Sequence, residues 1–364
     1  MGLTTEYPEL NTALNDYCLW MEGSQFLNNL SYFYHLTIKL KELVEKDFTY
    51  QELEELYDKA KEESRYLSLT ETLLLTTEYI EERLPQYKTR FLKCLSDGTI
   101  NIVADPEDIY EENKNNEAGR DRKKRLYANV VLRHNTKDPV TLVHEFLHTI
   151  NNEPDSRLSR KYITEAISIY FESDMCEFLK RKGFSEKELM VNDIFRYTDF
   201  FACIDDLMPI FPLLDSFRLL GPLNSTSYDR MQQLNIEPLV MSKEEFYSNV
   251  SNFEERLESV RKHNELLHIT DRPKPQEPLV TFGYVIGTLV AYYAVENTTE
   301  KLHLRMTLLN NIVNSSNFSD LLSYIDIDVT DEEALREKIA PPLKKKIQKI
   351  KAYSNGEKNE TKEK

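Results

Sequence analysis

Apolar residues in the first hundred positions recur at intervals of three and four: Leu27, Leu30, Phe33, Tyr34 and Ile38, then Leu53, Leu56 and Tyr57. That spacing puts them on one face of a helix, so this part of the chain is expected to be helical. Two stretches break the pattern. Thr99 to Ala104 and Tyr127 to Leu132 are β-branched and partly alternating, and they flank a polar loop from Asp105 to Lys124. A small sheet is expected there. Asp138 followed by Pro139 supplies a side-chain cap and a proline suited to the first helical position, which predicts a helix starting at Pro139. A second helical stretch, Tyr162 to Glu172, follows a polar loop from Asn151 to Arg160.

The longest apolar run, Leu279 to Val295, is interrupted by Thr281, Tyr284, Thr288, Tyr292 and Tyr293. It falls short of the ~20 residues a membrane span needs, and a buried helix is expected. With 9 glycines and 14 prolines among 364 residues, the frequent turn punctuation of a sandwich or barrel is missing. The expected fold is therefore mainly α, with a small β-sheet beside the helix that starts at Pro139. The chain divides by pattern into a helical region, 1–97, a central region, 98–342, continuous with those helices, and a Lys-rich helix end with a polar tail, 343–364. The tail, including Ser354 to Lys358, is expected to be disordered.

Charge narrows the partners. Lys and Arg number 46 against 62 Asp and Glu, a formal charge of −16 that repels a phosphate backbone, so nucleic acid is not an expected partner. Cys18, Cys94, Cys176 and Cys203 are widely separated and form no CxxC pair, which fits reduced thiols. Met1 to Glu9 has no basic region followed by an apolar run, so no secretory signal is expected, and the expected compartment is cytoplasmic.

The candidate chemistry lies in His144-Glu145-Phe146-Leu147-His148. Residues four apart on a helix lie one above the other, so two imidazoles reach a single ion. Glu145, beside the metal but turned away from ligation, is placed to take a proton from a water activated there. The pattern points to one zinc ion and to a zinc-dependent peptidase. A catalytic site of this kind needs a third protein ligand. Glu165, the first acid of the second helical stretch, is the choice; Asp174 lies on another face of that helix. Glu172, two turns beyond Glu165, is either a partner that orients a ligand histidine or a solvated surface acid.

Tyr127 to Asn151 resembles the strand, loop and zinc helix of the thimet oligopeptidase and oligopeptidase F family, which are gluzincin peptidases. Thr164-Glu165-Ala166-Ile167-Ser168 is similar to that family's stretch with the third ligand, Phe282 to Gly287 with Ala291-Tyr292-Tyr293 to its late Gly-Tyr helix, and Leu321 to Ile327 to its closing segment. The resemblance spans about residues 85 to 350, though only the zinc motif is specific. It implies a zincin-like fold with a deep substrate cleft, one zinc, and peptide substrates cut at an internal bond. Leu147 stands where the family has glycine, and the interval from His148 to Glu165 is shorter than the family's.

Such a reaction needs a donor for the tetrahedral oxyanion. Tyr284 and Tyr292, eight residues apart on one apolar helix, are the candidates, with His263 and His268 as further ones. The stretch Ala128 to Leu132, if it forms a sheet edge, offers backbone groups to an extended peptide. The basic cluster Arg120, Arg122, Lys123, Lys124 and Arg125 is a candidate site for a substrate carboxylate or a solvated loop. A peptide or protein substrate is the expected partner, with no membrane contact. The alternative is a peptide-binding module on the same scaffold without catalysis.

Overall fold

The computed structural model describes residues 6–21, 30–103, 117–120, 126–151, 158–234, 242–266, 284–285, 287–289, 291–292, 295 and 332–360. Twelve helices are named here: α1 Pro8–Met21, α2 Leu30–Glu45, α3 Tyr50–Glu63, α4 Leu69–Arg83, α5 Lys88–Ser96, α6 Lys137–Asn151, α7 Leu158–Arg181, α8 Glu186–Leu207, α9 Ile210–Leu220, α10 Ser227–Gln233, α11 Lys243–Leu266 and α12 Glu332–Glu360. Three short strands are β1 Ile100–Val103, β2 Glu117–Arg120 and β3 Leu126–Val131. The protein is mainly helical with one small sheet, as its periodicity predicts.

The chain separates into two compact units, Met1–Val44 with Ala202–Phe282, and Glu45–Phe201 with Gly283–Lys364. In the first unit α1 packs against α9 and α11 through Leu10, Ala13, Leu14 and Tyr17, all buried. The carboxylate of Glu254 on α11 accepts from the backbone N–H groups of Glu9 and Leu10 at 3.2 and 2.7 Å. It satisfies donors that the start of α1 leaves without intrahelical partners.

The second unit carries the HExxH segment. Helices α3 and α4 are each opened by a reciprocal cap, Thr49 with Glu52 and Ser68 with Glu71. In the sheet the order is β1-β3-β2: β3 pairs parallel with β1, Ile100 opposite Ala128, and antiparallel with β2, Glu117 opposite Asn129. β3 is thus the interior strand, which overturns its reading as a sheet edge. The cause is β2, a strand formed inside the stretch expected to be a polar loop. Ala128, Val130, Val131 and Leu132 are buried, as an interior strand's residues should be.

Helix α6 begins at Lys137, two residues before the expected start. Asn135 Oδ1 accepts from the N–H of Lys137 at 2.9 Å, while Asp138, already inside the helix, reaches back to the N–H of Arg133 at 2.8 Å and of Asn135 at 3.3 Å. Val140, Leu142, Val143, Phe146, Leu147 and Ile150 are all buried. A helix buried nearly all round is a central one, and α6 packs on α7, on α4 and on the sheet. Phe146 meets Phe91 of α5 edge-on at 5.0 Å, and Arg90 donates to the carbonyl of Thr149 at 2.6 Å. Leu147 is fully buried and belongs to this core.

Helix α7 starts before the expected Tyr162 and runs well beyond Glu172. Helix α12 continues through Ser354 to Lys358, so the segment expected to be a disordered tail is helical to Glu360. The apolar run near residue 285 is helical where described, with Val285, Thr288, Leu289, Ala291 and Tyr292 buried and Tyr284 and Val295 half-buried. No described helix is long and apolar enough to cross a membrane.

Candidate metal centre

Where α6 and α7 cross, four ionisable side chains are withdrawn from water. His144, Glu145 and Glu165 are buried, and the side chain of His148 is 13% exposed. Apolar surroundings do not tolerate such groups unless they are paired or bind an ion. The Nε2 atoms of His144 and His148 stand 2.9 Å apart, and the carboxylate of Glu165 lies 3.7 Å from the first and 3.4 Å from the second. One donor atom from each of the three residues falls within 4.8 Å of the others. Glu165 Oε2, fully buried, has no hydrogen-bond partner among the described residues. Two imidazole nitrogens and a carboxylate oxygen turned toward one point, with an acceptor left over, fit a zinc ion with one open position.

The site is held from behind. Nδ1 of His144 lies 2.6 Å from Glu172 Oε1, so an ionised Glu172 places the ring proton on Nδ1 and directs the Nε2 lone pair into the site. Glu172 in turn accepts from Arg196 Nε of α8 at 3.0 Å, and its other oxygen from Nη2 of the same guanidinium. Arg196 Nη1 also donates to Asp199 at 2.9 Å. Glu172 is therefore an orienting partner and no solvated surface acid.

The electrostatics follow from this arrangement. Burial pushes the Glu172 carboxyl up, but the Arg196 guanidinium and the His144 hydrogen bond outweigh it and hold the group at about 2. Burial raises Glu165 to about 7, against the lowering influence of the His144 ring and the Arg196 guanidinium. A cation between the three ligands would reverse that, because it stabilises the carboxylate directly. Burial lowers His144 despite Glu172, which keeps its imidazole neutral as ligation requires.

Tyr284 stands beside this group. The charge of Glu165, then burial, then Asp199 and Glu145 hold its phenol well above its usual range, with Arg196 opposing. Arg196 lies 5.9 Å from the Tyr284 ring centre. The hydroxyl thus stays protonated and able to donate. Tyr292 does not join it. It lines a separate cavity with Asp193 and Lys346, and none of the three candidate ligands borders that cavity. The structure thus does not bring this second oxyanion candidate to the group: at ~100° per residue, eight positions rotate a side chain by about 80° beyond two turns.

Asp174, the weaker ligand candidate, accepts from the hydroxyl of Tyr79 at 2.8 Å and is not among the converging groups. Arg120 lies in β2, while Arg122, Lys123, Lys124 and Arg125, the side chain of His263, and His268 lie outside the described residues, as does Leu321 to Ile327. The four cysteines are free thiols, and burial pushes Cys176 up to about 12.

Three participants escape a reading of the sequence. Arg196 and Asp199 carry no motif beyond their i,i+3 spacing. Gly287 touches the site through backbone alone: a Cβ there would stand 2.9 Å from the Ala166 nitrogen and 3.0 Å from Glu165 Cβ. Only glycine permits that approach. Ser168 adds a further tie between the helices, its hydroxyl 3.4 Å from the His144 carbonyl. Comparison of the chain with protein families, with curated proteins and with solved structures finds no match.

Proposed function

We propose that the protein is a zinc-dependent metallopeptidase that hydrolyses internal bonds of peptides or of a specific protein. One observation carries the reading: His144, His148 and Glu165 bring their donor atoms within 4.8 Å of one another in a buried site. His144, His148 and Glu165 would hold the ion, which when bound supplies a Lewis acid that polarises a peptide carbonyl and acidifies water.

The remaining chemistry belongs to the chain. Glu145 follows His144 on α6, so its carboxylate projects next to the ligands rather than among them, suited to take a proton from the attacking water and return it to the departing amine. Tyr284, kept protonated by the carboxylates around it, is suited to donate to the developing oxyanion. Glu172 and Arg196 fix the ring of His144. β2 packs on α6 and, among the described residues, pairs with β3 alone, so an extended substrate would add as a further strand on its other side.

The sequence resemblance to the thimet oligopeptidase and oligopeptidase F family supports a zincin-like fold and an oligopeptidase type of substrate. The test is cleavage of a quenched peptide library by zinc-loaded wild type and Glu145→Gln. Turnover by wild type, reduced at least about 1,000-fold in the variant with zinc retained, is the expected result. A zinc-loaded wild type that is no more active than Glu145→Gln contradicts it and leaves a peptide-binding module.

A further inference from the structure

Arg196, which grips Glu172 and so supports His144, stands three residues after Asp193 on α8. Positions three apart share one face of a helix. Both side chains, together with Glu172, border a cavity of about 360 Å³ whose far wall is α12. Walls separated by open space gain no packing contact across it, so the side chains that bridge them decide how they are held. The bridge here is ionic. Lys346 and Lys349 of α12 both donate to Asp193, one to each carboxylate oxygen. Burial pushes the Asp193 carboxyl up, but the two ammonium groups outweigh it and hold it at about 2, so the bridge is charged at neutral pH.

Lys346 makes a second connection. It lies 5.3 Å from the centre of the Tyr292 ring, on the helical stretch that also carries Tyr284 and Gly287. One side chain of α12 thus meets two elements that back the metal centre: α8 with Arg196, and the stretch whose Gly287 closes on Glu165.

α12 has anchors of its own. Leu343, Ile347 and Ile350 form a buried stripe at helical spacing, Lys351 pairs with Asp47, and the Tyr353 hydroxyl donates to Glu63 at 2.6 Å. The helix does not need Asp193 to stay docked. The Lys346 and Lys349 side chains are 23% and 29% exposed, so each ammonium can turn to water if the carboxylate loses its charge. What Asp193 adds is position.

We propose that Asp193 is a positioning residue for the metal centre: pinned by Lys346 and Lys349, it fixes the turn of α8 from which Arg196 holds Glu172, and so the orientation of His144 toward the ion. Zinc affinity is thereby tied to α12, a helix that bears none of the ligands. This rests on the metal reading above.

The experiment is competition for zinc between the full chain and a chelating dye, with urea titration to establish that each variant is folded. Asp193→Asn keeps the shape of the side chain and removes its charge; zinc affinity should fall about three- to tenfold, less than on loss of an orienting partner itself. Lys349→Gln, which leaves Asp193 paired with Lys346, should give a smaller loss and takes its place if Asp193→Asn does not fold. Lys351→Ala, which loosens α12 at Asp47 instead, should bind zinc as wild type does. In a Glu172→Gln background Asp193→Asn should have no further effect, because both act through one chain of contacts. Wild-type affinity in the folded Asp193 and Lys349 variants, an equal loss in Lys351→Ala, or an undiminished loss in the Glu172→Gln background overturns the proposal and leaves the metal reading standing. A folded wild type that binds no zinc overturns both.

Discussion

His144 donates from Nδ1 to Glu172 Oε1 across 2.6 Å, and Glu172 is itself gripped by Arg196. The pair does two separable things: it orients an imidazole, and it keeps two buried charges neutralised. Arg196→Met leaves Glu172 without its main counter-charge and should destabilise the fold by about 3–5 kcal/mol. Combining it with Glu172→Leu should recover at least half of that loss, because no charge is then stranded. Zinc affinity should stay about 10- to 100-fold below wild type in the double variant, since His144 has lost its acceptor. Urea titration reads the first quantity and competition with a chelating dye the second. Recovery of both together would contradict the orienting role.

Gly287→Ala is expected to disturb the site without changing a polar atom. The added methyl meets the backbone of α7 at Ala166 and the Cβ of Glu165, neither of which is the free end of a flexible chain. Stability should fall by about 1–3 kcal/mol. Zinc affinity should fall with it, because α7 carries Glu165. Wild-type zinc affinity in a destabilised variant would show that α7 relaxes without moving its ligand.

Tyr284→Phe should lower kcat by about 100- to 1,000-fold, with KM and zinc content near wild type, because an oxyanion donor acts in the transition state. Stopped assays on a quenched peptide give both constants. A rise in KM with unchanged kcat would assign the hydroxyl to substrate binding instead.

The His144–His148 pair was legible because helical geometry fixes which residues share a face, and the same rule leads from Glu165 to Glu172 two turns on. It fails where tertiary pairing decides. Arg196 meets Glu172 only because α8 crosses α7, and nothing in the spacing of Asp193, Arg196 and Asp199 announces which carboxylate the guanidinium will choose. β2 was hidden because Glu117, Ala118, Gly119 and Arg120 lack strand character and pair through their backbones with β3. The beginning of α6 was misjudged by two residues because Asp138 caps from within the helix, reaching back to Arg133 and Asn135. Tyr292 borders the space beside Asp193 and Lys346 and not the ligand group, because eight helical residues turn a side chain about 80° past two turns.

Lys137 provides a test by pH. Buried in the first turn of α6, with its ammonium 2.9 Å from the centre of the Phe195 ring, it is held at about 7, chiefly by burial and then by the charge of Arg196, against 10.5 for the free side chain. Between those values the unfolded chain binds a proton that the folded chain has released. Stability therefore rises with pH from about 7 to about 10.5, and the full cost of the buried ammonium is felt below about 7. At about 1.4 kcal/mol per pH unit, that cost is of order 3–5 kcal/mol. Lys137→Met should be more stable at pH 7 and lose this slope in urea titrations run from pH 6 to 10. A slope equal to wild type would mean that Lys137 is protonated in the fold.

Metal content measures directly whether the side chains of His144, His148 and Glu165 hold one ion. Wild type equilibrated with zinc and then desalted should carry one zinc per chain, and Glu165→Ala should carry less than about a tenth as much under the same treatment. Full occupancy in Glu165→Ala, or a folded wild type that retains no zinc, would contradict the assignment of His144, His148 and Glu165 as its ligands.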